Sequence, residues 1–299
     1  MKLKKSLPVL LATLCICLTA CQKEISADNG LLPVPAADSN YLDKLYDLYD
    51  NGTGIDTQEI YTVHYDNLKR VSSISDSLVT ATGPEHFESF YYSYNGTDTL
   101  PYRSVQVVTE SSSYFDSLST YHFYDAQKRK SQDSTVETYG PMGAAYTVSK
   151  RIIAYSYGAG KLYGETAATD VTPAGVTFYT RDTADVNSNG DIITNKKYRF
   201  NGTGYDLYVT SNYTYDTHAN PFSILSNFLA HRYFPNGETL IFEYMGHNNM
   251  LTQNEFTIPS SYNFSVSVNY VYNAAGFPII ENYLGPALDE KLIYTYKTL

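Results

Sequence analysis

The 299-residue chain contains no tryptophan, three cysteines and 13 phenylalanines against 31 tyrosines. It also lacks any apolar run long enough to cross a bilayer as a helix, which takes about 20 residues. Its longest such run, residues 7–18, follows Lys2, Lys4 and Lys5. A short apolar stretch behind positive charge reads as a secretory signal and not as a membrane span. Cys15 and Cys17 lie inside that stretch and would leave with it, so Cys21 becomes the one cysteine of the mature chain. That excludes an intramolecular disulfide, a Cys-based zinc site and a catalytic thiol. No segment keeps a 3.6-residue apolar period, so helix content is expected to be very low. A nucleophile elbow, a phosphate loop and a dinucleotide fingerprint are absent as well, and the chain is read as non-enzymatic.

What the chain does have is a period. Tyr65, Tyr94, Tyr124, Tyr157, Val186, Tyr215, Tyr244 and Tyr272 are separated by 29, 30, 33, 29, 29, 29 and 28 residues. An aromatic often stands two residues earlier, as at Tyr92, Tyr155, Tyr213, Phe242 and Tyr270. Asp, Asn or Gly commonly follows, as at Asp66, Asn95, Asp125, Gly158, Asp216 and Asn273. A fixed spacing over most of a chain means a repeat architecture. Within one repeat, Tyr61, Val63 and Tyr65 alternate with Thr62 and His64, a strand signature, and Asp66-Asn67 supplies turn chemistry. Asn51-Gly52, Asn95-Gly96, Asn201-Gly202 and Asn236-Gly237 are further hairpin signals.

The expected fold is all-β, a single domain over residues 41–299. It is an antiparallel meander of about sixteen strands built from hairpin repeats of about 29 residues, ending as a curled sheet or a closed barrel-like shell. Alternation puts both rings of Tyr-x-Tyr on one face, and Ser, Thr, Asp and Asn are expected on the other. His64 and His122 are expected on that second, solvated face. A membrane-spanning barrel competes with this reading. Polar residues on its would-be lipid face and the N-terminal cysteine signal weigh against it.

Leu18-Thr19-Ala20-Cys21 resembles a bacterial lipobox. The resemblance implies cleavage after residue 20, a diacylglyceryl thioether on Cys21 and anchoring in outer-membrane lipid. Residues 21–40 then form the lipidated cysteine and a polar tether. Gln22-Lys23-Glu24 resembles the short acidic export signals of Bacteroidota lipoproteins, which favours the cell surface over the periplasmic face. Loss of three lysines with the signal leaves 18 basic and 31 acidic residues. Such an acidic chain disfavours nucleic acid. From residue 41 onward, the aromatic-x-Tyr-Asp strand ends resemble the YD repeats of Rhs-type proteins. With the Tyr215-Asp216…Asn220-Pro221-Phe222 turn they are similar to uncharacterised Bacteroidota lipoproteins carrying degenerate YD-like hairpins.

Two functions follow. The first is a binding protein, glycan being the ligand class suited to rings with hydroxyls at their rims. Its candidate contacts are Tyr92, Tyr94, Tyr155, Tyr157, Tyr213, Tyr215, Tyr270 and Tyr272, whose other reading is a set of aromatic ladders holding the sheet. The second is a structural or assembly subunit that docks another envelope protein. A weak calcium reading attaches to Asp185, Asn187, Asn189 and Asp191, which alternate like the first half of a calcium loop. Lys196 stands where the loop's final acid belongs, and a tight turn explains the same residues. No other cofactor is indicated.

Overall fold

A computed structural model describes residues 41–50, 55–80, 83–111, 114–141, 146–170, 177–221, 246–258, 263–285 and 290–299. The signal, Cys21, the tether, Tyr244 and the Asn51-Gly52 and Asn236-Gly237 turns lie outside them. Among the described residues there is no helix. Sixteen strands run in order: β1 (Tyr41–Asp50), β2 (Ile55–Tyr65), β3 (Val71–Thr80), β4 (Gly83–Ser93), β5 (Arg103–Ser111), β6 (Tyr114–Tyr124), β7 (Lys130–Pro141) and β8 (Tyr146–Gly158). They continue as β9 (Lys161–Asp170), β10 (Thr177–Val186), β11 (Ile192–Phe200), β12 (Tyr205–Ala219), β13 (Asn248–Thr257), β14 (Asn263–Tyr272), β15 (Pro278–Leu284) and β16 (Glu290–Lys297). Each pairs antiparallel with its sequence neighbours, and β1 pairs with β16 from Tyr41↔Lys297 to Tyr49↔Glu290. The meander therefore closes into a barrel and leaves no edge strand.

The signature tyrosine explains the period. In most repeats it stands toward the end of an even-numbered strand, and its hydroxyl donates to a backbone carbonyl at the start of the preceding odd strand; in the β13–β14 hairpin Tyr270 makes that bond and Tyr272 donates to Asp216. Tyr65 reaches Leu42 at 2.8 Å, Tyr94 reaches Val71 at 2.7 Å, and Tyr124 reaches Pro101 at 2.8 Å. Tyr157 reaches Lys130 and Tyr215 reaches Ile192, both at 2.8 Å. Tyr296 closes the last hairpin on Pro278 at 2.6 Å. Each bond pins the base of a hairpin whose tip lies at the other end of the barrel. Where the slot holds Val186, which has no hydroxyl, its own N–H bonds the Gly160 carbonyl at 2.9 Å instead.

The turns leading from even to odd strands repeat as closely. Asp66 Oδ1 accepts the N–H groups of Leu68 and Arg70, and its Oδ2 accepts the Arg70 guanidinium. Asp125 does the same for Gln127 and Arg129. Burial alone would raise both carboxyls, but the donors from the arginines outweigh it and hold them below the usual carboxylate range. Arg70 then lies 4.2 Å from the ring of Tyr94, and Arg129 lies 4.3 Å from the ring of Tyr157. Each turn is thus braced against the tyrosine of the next repeat by a cation–π contact. The fourth turn residue is left-handed: Gly190 and Gly276 in two turns, but Lys69 (φ 62°) and Lys128 (φ 61°) in two others.

Inside, alternation places Val63, Val71, Ile74, Phe90, Tyr92, Leu45, Leu292 and Tyr294 in one buried cluster at the turn end. Ile153, Tyr155, Leu162, Ala184, Ile192 and Tyr213 form a second on the other side. Outside, polar pairs alternate with exposed apolar side chains such as Ile152, Phe256 and Val271. Thr194 bonds Asn212 at 3.1 Å, Thr214 lies 2.7 Å from Thr252, and Ser265 bonds Asn254 at 2.7 Å, across β11 to β14. Register places Arg181 and Lys196 on that same outer face. A lipid-facing wall would bury those two charges, each at a cost of about 2–4 kcal/mol at the bilayer midplane.

Removal of a single latch hydroxyl tests this account. Tyr94→Phe is expected to lower stability in urea by about 1–3 kcal/mol, because the Val71 carbonyl loses its partner. Tyr91→Phe, three residues earlier and exposed, is expected to stay within about 0.5 kcal/mol. A Cβ at Gly246 would lie 2.8 Å from Cε1 of Tyr215. Gly246→Ala should therefore push that latch out of place and destabilise by about 1–3 kcal/mol.

Candidate functional site

One step from the turn-end apolar layer toward the hairpin tips, the inward positions change character. Register carries a carboxylate inward from each of six successive strands: Glu281 on β15, Glu290 on β16, Asp47 on β1, Glu59 on β2, Asp76 on β3 and Glu88 on β4. Asp47 stands directly opposite Glu59, and Asp76 directly opposite Glu88. Like charges so placed repel. Among the described residues of these six strands, no lysine or arginine faces inward. Cations on the inner face, namely Lys130, Arg151, Lys197 and Arg199, belong to β7, β8 and β11.

Phenols and amides solvate the arc. Tyr61 donates to Glu59, and Gln106 donates to Glu88. Glu281 accepts from Tyr270 at 3.0 Å and from Tyr294. Burial pushes the Glu281 carboxyl up against those donors. Glu290 is pushed up to about 7, first by burial and then by Asp47, Glu281 and Glu59. Hydrogen-bond donors or positive charge brought beside Glu281 and Glu290 would favour their ionised forms.

The opposite wall holds a second polar group. Asp133, 1% exposed, lies 2.7 Å from His122 Nδ1 and accepts from Lys130 at 3.0 Å and Tyr155 at 2.8 Å. Ser104 Oγ lies 2.9 Å from His122 Nε2. This has the connectivity of a serine–histidine–aspartate triad, yet its electrostatics oppose base catalysis. Burial first, and the Lys130 ammonium second, hold His122 below its ordinary value. One oxygen of Asp133 already serves two donors other than the histidine. The group therefore acts as a buried strut. It also corrects the expected place of His122. His64 stands one residue before its signature tyrosine and is exposed, whereas His122 stands two before Tyr124. It thus fills the inward slot held by Tyr92 and Tyr155 in other repeats.

The tyrosines picked from the sequence divide by role. Tyr94, Tyr157 and Tyr215 are latches, and Tyr270 donates to the Met250 carbonyl at 2.9 Å as well as to Glu281. Tyr272 donates to Asp216 and stacks on His218 at 4.0 Å. Tyr92, Tyr155 and Tyr213 are buried and face inward. The eight lie on β4, β8, β12, β14 or just beyond a strand end, so they form a discontinuous ring and not one platform. The expected division of faces also changes, since the acids of the arc share the tyrosine face. The four calcium candidates do not converge. Asp185 pairs with Lys161. Asn187 Oδ1 accepts the N–H groups of Asn189 and Asp191, and its amide donates to Asp191 at 3.0 Å. Asp191 Oδ1 takes the Asn248 N–H at 2.7 Å. Among the described residues no group of three or more His, Cys, Asp or Glu side chains could hold a metal ion.

Two outcomes follow. Glu290 has a raised folded value, so its proton stabilises the fold at low pH. That contribution is lost as pH rises from about 4.5 to about 7. Glu290→Gln should flatten the thermal melting temperature across that window and raise it at pH 8. Lys130→Met leaves Asp133 a buried charge without its cation and should destabilise by about 3–5 kcal/mol in a urea melt.

No protein-family model and no curated protein matches the chain. Solved structures do. A porin-like protein from Bacteroides vulgatus ATCC 8482 superposes with a TM-score of 0.52 at 9% identity, over 87% of this chain and 100% of that one. A porin-like protein from Bacteroides uniformis ATCC 8492 gives 0.47 at 11% identity, over 85% and 95%. At 9% identity the likeness to the Bacteroides vulgatus protein is one of fold.

Proposed function

We propose that this protein is a lipid-anchored envelope barrel that binds a glycan at the acidic arc of its interior. The observation that carries the reading is the set of six carboxylates carried inward on six successive strands, with the phenols of Tyr61, Tyr270 and Tyr294 beside them. A carboxylate accepts hydrogen bonds from adjacent sugar hydroxyls, and charge-assisted bonds are the stronger kind. Tyr61 and Tyr270 offer ring surface beside the acids. Ligand hydroxyls would bring further donors to the facing pairs Asp47/Glu59 and Asp76/Glu88. The lipobox at Leu18–Cys21 supports anchoring, and Gln22-Lys23-Glu24 supports the outer face of the outer membrane. A closed barrel offers no strand edge to a protein partner, which weighs against docking by strand addition.

Isothermal titration of the purified protein against extracellular polysaccharides tests the binding claim. Saturable binding is expected. Glu59→Gln combined with Asp76→Asn should weaken it at least about 10-fold while leaving stability equal or higher. Unchanged affinity in that double variant would remove the arc as the site. Protease treatment of intact cells tests location: degradation without lysis is expected, and protection until lysis would put the protein on the periplasmic side.

A further inference from the structure

Large apolar side chains are exposed at both ends of the outer wall, Tyr179, Phe200 and Phe256 toward the hairpin tips and a second group at the turn end of β4 to β6. Tyr91 (51% exposed), Tyr121 (44%) and Phe123 (49%) make up that second group, and Leu68 (49%) caps the turn before β3. Arg103 lies over the Tyr121 ring at 5.4 Å. Beside this group are Lys69 and Lys128, exposed at the two turns where lysine takes the left-handed position that glycine takes elsewhere. A side chain there costs about 1–2 kcal/mol, and a strained residue kept in a position that suits glycine points to use of its side chain. Lys69 Nζ donates to the Leu299 carbonyl at 2.8 Å, and the ammonium of Lys128 stands at an exposed turn. The acids of both turns, Asp66 and Asp125, are already paired with Arg70 and Arg129.

The chain also enters the barrel here. β1 begins at Tyr41, and Lys69 Nζ lies 5.8 Å from the Tyr41 ring. Cys21 is 20 residues earlier, a span of at most about 70 Å. We infer that this end of the barrel docks on the bilayer surface that holds the Cys21 acyl chains. Tyr91, Tyr121, Phe123 and Leu68 would enter the headgroup region, and Lys69 and Lys128 would meet lipid phosphates. The inference rests on the lipid anchor proposed above. Aromatic rings favour the interface between water and hydrocarbon, and each lysine near an anionic surface adds about 1 kcal/mol. Docked this way, the apolar layer lies toward the membrane and the carboxylate arc toward the hairpin tips.

The absence of tryptophan makes the test direct, because one introduced indole reports one place. Full-length protein carrying Phe123→Trp or, at the opposite end, Phe256→Trp is bound to phosphatidylcholine–phosphatidylglycerol vesicles with brominated acyl chains. Phe123→Trp is expected to be quenched several-fold more than Phe256→Trp. Equal quenching, or stronger quenching of Phe256→Trp, on vesicle-bound protein overturns the docking face. Intact mass separately reads whether Cys21 is acylated. In a Cys21→Ser background, Lys69→Gly with Lys128→Gly relieves backbone strain and removes two charges. Vesicle binding is then expected to fall about 30-fold while the fold gains stability. Absence of binding by Cys21→Ser, or binding unchanged by the glycine pair, overturns the inference even if the anchor stands.

Discussion

One hydrogen bond organises this molecule: the phenol of an even strand's last residues donating to the carbonyl at the start of the odd strand before it. Phenylalanine could fill the same volume, but only a hydroxyl satisfies that carbonyl, and a buried carbonyl left without a donor is costly. The bond fixes the base of each hairpin. The Asp- or Asn-led turn then launches the next hairpin, and in two repeats its arginine stacks on the following tyrosine. Period, turn and ring are parts of one device. Closure between β1 and β16 completes it, with Lys297 reaching the Val63 carbonyl at 2.8 Å and Asp43 at 2.8 Å across the seam.

The barrel shares its fold with a porin-like protein, and its outer wall carries both polar pairs and exposed apolar side chains. Its outer wall joins strands through threonine, serine and asparagine side chains, while its interior carries apolar residues at the turn end and carboxylates above them. Lipid cannot solvate Arg181 or Lys196, and water can. Six successive strands carry an acid inward, and the phenols of Tyr61, Tyr270 and Tyr294 donate to Glu59 and Glu281 within that arc.

Much of this architecture was legible in the sequence, because tyrosine spacing survives even where Val186 interrupts it, and the strand count follows from the spacing. Closure was left open, since nothing in Tyr41–Asp50 or Glu290–Lys297 names the other as partner. The latch bonds were hidden because a period shows where a ring recurs and not what its hydroxyl touches. The arc was invisible for a different reason. Its acids sit at irregular separations along the chain, and bulges such as those between Asp47 and Leu48 or Asp76 and Ser77 shift the parity by which a face is read. His122 was misplaced by a single residue of offset from Tyr124, enough to turn a strand residue from the outer face to the inner one.

Spectrophotometric titration of the 31 tyrosines, followed together with circular dichroism, tests the central claim most directly. Burial raises the latch phenols Tyr65, Tyr94, Tyr124, Tyr157, Tyr215, Tyr270 and Tyr296 above their ordinary value of 10.0. The account requires two phases: exposed phenols ionising in the usual range with the barrel intact, and the latches ionising only as the β-sheet signal collapses. A single phase in the usual range, with the sheet signal preserved throughout, would mean the hydroxyls are not holding the hairpins.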